Sequence, residues 1–438
     1  MKSIIVEPVK HPLKGSLQIP GDKSISHRAI IFASLSEGKT RIYHLLEAED
    51  VLCTLDCFRA MGVKIEKEEN DWCVEGVGLK GLKKPSKVLW CGNSGTAMRL
   101  LLGVLAAQDF ESSLTGDASL NKRPMNRVTE PLTQMGAHFG MEGEGTEKRI
   151  VHVKGGNLKG IHYKSPVASA QIKSAVLLAG LWAKGETSIE EPNLSRDHTE
   201  QMFLGSAVSL KQSQNSVTLK SPLKILFPPE FTVPGDISSA AFFLVAALLV
   251  PGARITLQNI GINPTRSGII EALQAMGASI QIENEKNRAG EKVGDLKVHS
   301  SNLKGIKIQG DIIPRLIDEI PILGVAASFA KGTTEISNAE ELRVKESDRI
   351  KVLAHLLTQI GVSVSEKQDG LIMEGSAGKA FRAAKIQSYG DHRMAMSMAI
   401  AALVADGPIE IEDIDCVNTS FPSFWKSLSS LGVHARIP

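Results

Sequence analysis

Residues 19–24 read Ile19-Pro20-Gly21-Asp22-Lys23-Ser24, and residues 233–238 read Val233-Pro234-Gly235-Asp236-Ile237-Ser238. An apolar residue, a Pro-Gly turn and an aspartate suited to capping a helix recur 214 positions apart in a chain of 438. Each half subdivides. An apolar residue, then glycine, then a β-prone run occurs at Met61-Gly62, Met135-Gly136, Leu204-Gly205, Met276-Gly277, Ile360-Gly361 and Leu431-Gly432, at spacings of 69 to 84 residues. Between these points lie small-residue apolar helices that end at Ser36-Glu37-Gly38, Gln108-Asp109, Ala183-Lys184-Gly185, Val250-Pro251-Gly252, Ala330-Lys331-Gly332 and Ala405-Asp406-Gly407. Strands are expected to follow, among them 40–44, 187–190, 254–258 and 333–337. Glycine just past a helix end takes the left-handed conformation that stops the helix, so these glycines are expected to be the stops.

The pattern predicts an α/β fold of six repeated units, each with two helices and several strands. The longer echo sorts them into two lobes of three. One lobe is expected to span 21–234 and the other 1–20 plus 235–438, with the N-terminal strand joining the C-terminal half. Ligands are expected in the cleft between them.

Composition narrows the function. Lys+Arg number 50 against 48 Asp+Glu, a net charge of +2 that argues against a nucleic-acid-coating surface. Apolar residues make up 42% and charged residues 22%, a folded and not a disordered composition. The longest apolar stretches, 240–250 and 394–405, are too short for a membrane span, and Glu7 interrupts any leader. Five cysteines without metal-type spacing read as reduced thiols of a cytoplasmic protein. Eleven histidines form no ligand spacing, so no metal is expected. No phosphate-binding loop or dinucleotide fingerprint opens a helix, so no nucleotide cofactor is expected either. Cys53 and Cys57 read as core, and Cys91 as the end of a buried strand.

The polar residues cluster at expected helix starts: Asp22-Lys23-Ser24, Asn93-Ser94-Gly95-Thr96, Ser169-Ala170-Gln171, Asp236-Ile237-Ser238, Asp318-Glu319 and Asp391-His392-Arg393. Free N–H groups and the positive dipole end make such starts suited to phosphate and carboxylate. Ordinary capping explains any one of them. Lys23, Arg28, Arg99 and Arg393 at the same starts favour anion binding. Where Lys23 stands in the first half, Ile237 stands in the second, so the turn is structural in both and chemical in one. Further cations lie in Lys122-Arg123-Pro124-Met125-Asn126-Arg127, Ser195-Arg196-Asp197-His198 and Arg343-Val344-Lys345-Glu346-Ser347-Asp348-Arg349. In the last, Lys345 and Arg349 are expected on one helix face, with Glu346 and Asp348 as possible neutralisers.

These segments resemble the 5-enolpyruvylshikimate-3-phosphate synthase family. The resemblance rests on Pro20–Arg28, Gly92–Arg99, Lys122–Met125, Arg343–Arg349 and Asp391–Arg393, and runs from about residue 7 to 430. Asn121–Arg127 and Thr419-Ser420-Phe421-Pro422 resemble the bacterial class II form. It implies a two-lobed inside-out α/β barrel of six βαβαββ units. It also implies transfer of the enolpyruvyl group of phosphoenolpyruvate to the 5-hydroxyl of 3-phosphoshikimate, by addition and elimination with release of phosphate, without metal or cofactor. By resemblance Lys23, Ser24, Arg28, Ser169, Ala170, Gln171, Arg196, Asp318 and Lys345 hold 3-phosphoshikimate. Lys23, Gly95, Arg123, Gln171, Arg349 and Arg393 hold phosphoenolpyruvate. Asp318, Glu346 and Lys23 are the catalytic candidates, their separate proton transfers left open. A cytoplasmic monomer is implied, with small anionic substrates as its partners and neither nucleic acid nor membrane.

Some family members carry a lysine just before the Phe-Pro pair where this chain has Thr419-Ser420, so one cation of the phosphoenolpyruvate site is missing or supplied elsewhere. The family's herbicide glyphosate occupies that site, and resistant class II members have alanine at the position of Gly95. The sister enzyme acting on UDP-N-acetylglucosamine would have asparagine at Ser24 and a reactive cysteine in the loop here read as Arg123-Pro124-Met125. A non-catalytic anion-binding repeat protein would have no use for Asp318, Glu346 and Lys23 beside the arginines.

Overall fold

The computed structural model describes residues 2–143, 146–222, 224–288 and 290–437. Each repeat forms one four-stranded sheet, six in all among the described residues. In every sheet one edge strand runs parallel to its neighbour, as His162–Lys164 does beside Glu186–Glu190. Parallel neighbours cannot be joined by a tight turn, so the chain needs a crossover, and a helix supplies it. Thus Leu89–Trp90 leads through the helix Gly95–Leu105 to Glu111–Thr115. The six-unit α/β architecture is as expected.

The chain divides into two compact units. The central unit comprises Gly21–Val233 with Asn287–Glu291, and the terminal unit comprises the chain up to Pro20, 234–286 and 292 onward. In the terminal unit Ser3–Val6 lies between Ile409–Glu412 and Ala435–Arg436, and Lys14–Gln18 runs parallel to Arg254–Gly261. Its apolar core is formed by the helices Ile237–Leu249, Ile320–Phe329 and His392–Ala402, which pack on one another. All thirteen residues of Ile237–Leu249 are buried, which only a helix apolar on every side tolerates. The strands alternate buried and accessible residues, as in Arg254–Gly261, so each sheet covers these helices with one face. The central unit repeats the plan with Lys23–Leu35, Gly95–Leu105 and Ala170–Gly180 inside. Helices take the interior and sheets the exterior because the small-residue helices are apolar all round and the strands on one side only. Among the described residues no helix is long and apolar enough to cross a membrane.

The helix stops differ from expectation. Gly62, Gly136, Gly277, Gly361 and Gly432 take φ between +84° and +112° just beyond the outer helices, so the stopping role belongs to the other glycine series. In the third repeat Gly205 is still helical, and Ala207 adopts φ +58° instead. The inner helices Lys23–Leu35 and Ile320–Phe329 end on extended residues, Ser36 and Ala330, and pass directly into strands. Gly38 and Gly332 have positive φ inside those strands.

Candidate active site

In each unit the starts of the three inner helices meet. In the central unit Asp22 caps the first helix by accepting from the Ile25 N–H at 2.8 Å, and Ser94 caps the second by accepting from Ala97 at 3.0 Å. Ser169 caps the third. His27 links the first two, its Nδ1 2.7 Å from Thr54 Oγ1 and its Nε2 3.4 Å from Ser94 Oγ. Burial, then the nearby Lys23 and Arg28, holds this imidazole well below its ordinary pKa, so it is neutral. Gln171 links the second and third, donating to Thr96 Oγ1 at 2.9 Å and accepting from Arg99.

Around these joints stand the cations. Lys23 is the first residue of its helix and lies 3.0 Å from Asp50, with its side chain only 19% exposed. Arg28 is buried and donates to the Ser24 carbonyl at 2.9 Å, Ser174 Oγ at 2.7 Å and Thr199 Oγ1 at 2.7 Å, which engages three of its five N–H donors. Burial lowers its pKa to about 10, opposed chiefly by Glu200, and it remains charged at neutral pH. Arg123 ends the short helix Ala118–Lys122 and donates to Asn93, whose amide donates to Asp117 at 2.6 Å. Arg149 holds Arg123 from below, bonding its carbonyl at 2.7 Å. Gly95 opens the second helix, and a Cβ there would stand 2.8 Å from Arg99 Nη1 and 3.4 Å from Arg123 Nη1. Ala170 and Gln171 open the third helix, and half-buried Arg196 follows Ser195 on the loop before His198.

The terminal unit gathers Asp318, Lys345, Glu346, Arg349 and Arg393. Asp318 Oδ1 lies 3.4 Å from Lys345 Nζ and 3.3 Å from Arg349 Nη1. Arg349, 1% exposed, also pairs with Glu346 at 2.7 Å and with Asp391 at 2.8 Å. Burial opposes its charge, but Asp391, Glu346 and Asp318 outweigh burial and hold its pKa above the ordinary arginine value. Asp391 is wholly buried, yet Arg349 keeps its carboxyl below the usual range. Arg393 donates to the Asp318 carbonyl at 2.8 Å and to Ser238 Oγ at 3.2 Å, and approaches Glu319 at 3.4 Å. Two acids, Asp318 and Glu346, are therefore clamped by cations at the surface of the unit, their side chains 14% and 19% exposed. Such an arrangement can grip anions and exchange protons at fixed points.

Lys345 and Arg349 do not share a helix. Asp348 caps the helix Arg349–Gln359 by accepting from Lys351 N–H at 3.1 Å, so Lys345 stays in the preceding turn. The two cations nevertheless converge, because both point at Asp318. Asp318 and Glu319 themselves lie in a 3-10 turn, and the α-helix begins at Ile320 with Pro321 in its first turn. In Thr419-Ser420, the pair read above in place of a lysine, the Thr419 hydroxyl lies 3.4 Å from His392 Nδ1. Sequence reasoning missed the partners Asp50, Asp117, Arg149 and Arg266 and the buried cluster Lys173–Glu191–Glu200, and it named Glu319 and Asp391 only as helix-start residues. Their signal is a charge inside an apolar segment, as at Lys173. Among the described residues no group of three or more His, Cys, Asp or Glu is arranged to hold a metal ion.

A sequence profile of EPSP synthase (3-phosphoshikimate 1-carboxyvinyltransferase) matches residues 8–428. The chain is 51% identical over 422 residues to a 3-phosphoshikimate 1-carboxyvinyltransferase from Desulforamulus reducens, covering 96% of this chain and 97% of that one. It is 48% identical over 431 residues to the protein of that name from Geobacter metallireducens, covering 98% and 99%. A solved EPSP synthase from Acinetobacter baumannii superposes with a TM-score of 0.89 at 45% identity, over 100% of both chains.

Proposed function

The chain belongs to the EPSP synthase family, and from that premise we propose how its residues carry the family's reaction. The reaction joins the 5-hydroxyl oxygen of 3-phosphoshikimate to C2 of phosphoenolpyruvate while a proton adds to C3, giving a tetrahedral adduct. Loss of a proton from C3 and of phosphate from C2 then restores the double bond. We assign Asp318 as the base that takes the hydroxyl proton. Its neighbours Lys345 and Arg349 hold it in place. Glu346 and Lys23 serve the two remaining transfers: one gives the proton that adds to C3 and takes one back in elimination, and the other protonates the bridging oxygen as phosphate leaves.

Ser24, Arg28, Ser169, Ala170, Gln171, Arg196 and Lys345 are assigned to the phosphate and ring of 3-phosphoshikimate. Lys23, Gly95, Arg123, Gln171, Arg349 and Arg393 are assigned to phosphoenolpyruvate. Arginine forks and helix starts suit these anions because they offer paired donors in place of a single point charge. We read the protein as a monomer, and as cytoplasmic in keeping with five free thiols.

The observation that carries the proposal is Asp318, an acid held at 3.3–3.4 Å by both Arg349 and Lys345 beside a second acid, Glu346. The test is phosphate release from phosphoenolpyruvate in the presence of 3-phosphoshikimate, run beside UDP-N-acetylglucosamine. Release with the first alone is expected. Release only with the second would overturn the reading.

A further inference from the structure

The helix Ala170–Gly180 carries one charged side chain, Lys173, and it is 2% exposed. No other inner helix has a cation four residues after its cap: the matching positions are Ser26, Met98, Ala240, Leu323 and Ala395. The fold therefore does not require a lysine there. Its ammonium lies 2.8 Å from Glu191, 2.8 Å from Glu200 and 3.3 Å from the Ser195 carbonyl.

Glu191, also 2% exposed in its side chain, reaches two backbone segments at once. One oxygen accepts from the Ser169 N–H at 2.9 Å and the Ser195 hydroxyl at 2.6 Å. The other accepts from the Ser195 N–H at 3.4 Å and from Lys173. Ser169 directly precedes Ala170 and Gln171, and Ser195 directly precedes Arg196. A buried ion cluster is a poor device for stability alone, since apolar residues of like volume often serve as well. No apolar residue could accept backbone N–H groups from two loops.

We propose that Glu191, held by Lys173, is a positioning residue that sets the third inner helix start and the Arg196 loop in register for 3-phosphoshikimate. This role rests on the assignment of Ser169, Ala170, Gln171 and Arg196 made above. Glu191 touches no substrate and acts through the two segments it joins.

The experiment uses Glu191→Gln, which preserves shape but removes the charge facing Lys173, and Ser195→Ala, which removes only the hydroxyl. Each substrate is varied at saturation of the other, and thermal unfolding is followed in parallel. The KM for 3-phosphoshikimate should rise on the order of tenfold in Glu191→Gln and severalfold in Ser195→Ala. The KM for phosphoenolpyruvate should rise clearly less, since of its assigned residues only Gln171 lies on the segments that Glu191 joins, and Lys23, Gly95, Arg123, Arg349 and Arg393 are untouched. A folded variant with a lowered melting temperature and an unchanged KM for 3-phosphoshikimate would overturn the proposal and leave Glu191 structural. If Glu191→Gln does not fold, Ser195→Ala decides by the same constants. A parent chain inert toward 3-phosphoshikimate overturns the functional reading and this proposal with it, whereas an active parent with unshifted variants overturns this proposal alone.

Discussion

Lys23 and Ile237 occupy the same place in the half-repeat, and the contrast defines what the lysine is for. Ile237 is buried in the core, whereas Lys23 faces Asp50 with part of its side chain in solvent. Lys23→Met should therefore leave the fold intact and lower kcat by two orders of magnitude or more, a loss of roughly 3 kcal/mol in the transition state. Circular dichroism together with phosphate release checks this, and near-parent turnover would remove Lys23 from the chemistry. Gly95 supports a second prediction. A methyl group there meets the guanidinium ends of Arg99 and Arg123, which can swing aside, so folding should hardly suffer. The ligand gripped by Arg123 should, at about 1–3 kcal/mol for a crowded contact. Glyphosate is longer than phosphoenolpyruvate, so Gly95→Ala should raise its inhibition constant more than the KM of the substrate; equal shifts would refute a pocket-lining Gly95. Cations such as Lys23 were legible because they break the repeat. Their partners were not: Asp50 is 27 residues from Lys23 and Asp391 is 42 from Arg349, and nothing local marks either acid as a partner.

Helix boundaries depend on which polar residue wins the cap, and spacing alone does not decide that. Lys345 and Arg349 stand four apart, yet Asp348 caps between them and only Arg349 is helical. The glycine stops misled for a related reason: the inner helices Lys23–Leu35 and Ile320–Phe329 run straight into strands, so Gly38 and Gly332 serve the strand. Asp391 shows how a cap can do more than end a helix. One oxygen accepts from the Arg393 N–H at 3.0 Å, the other from Arg349 Nε at 2.8 Å and Ser347 Oγ at 3.0 Å. Asp391→Asn keeps a cap acceptor but strands the buried Arg349 charge among fewer partners, so unfolding at pH 7 should be easier by about 3–5 kcal/mol. Because Arg349 depresses the Asp391 pKa in the folded state, the advantage of the parent is present above the unfolded value and lost as pH falls through the folded one. Urea midpoints of parent and variant should thus converge below about pH 4. A constant gap down to pH 3 would mean the ion pair is not its source.

At the scale of the molecule, the six repeats were legible because helix and strand periodicity are local. Strand order was not, because edge strands arrive from far along the chain. Glu230–Thr232 completes the sheet of Glu37–Tyr43, and Lys14–Gln18 that of Arg254–Gly261, through short segments whose partners no local pattern names. The buried histidines of the central unit give the whole protein a testable pH signature. His27 is buried and its pKa is lowered, so the unfolded chain binds its proton more readily; its contribution is lost as pH falls from about 6.5 through the folded value. His198 is the opposite case. Burial lowers its pKa, but Glu291, 2.7 Å from Nδ1, raises it further, and the net shift is upward. Its contribution is full below about pH 6.5 and lost as pH rises through the folded value. The two effects have opposite sign and meet near pH 6.5, His198 acting above it and His27 below it, each tenfold change in proton affinity being worth about 1.4 kcal/mol. Glu291→Gln removes the carboxylate that chiefly raises the His198 pKa and leaves burial, the largest influence, opposed only by the lesser pull of Asp22 and aided by Arg28, so both histidines then resist protonation. The melting temperature of that variant should fall more steeply on acidification than the parent's, and that of His27→Gln less steeply. Parallel curves for parent and both variants would show that neither imidazole is perturbed as its surroundings require.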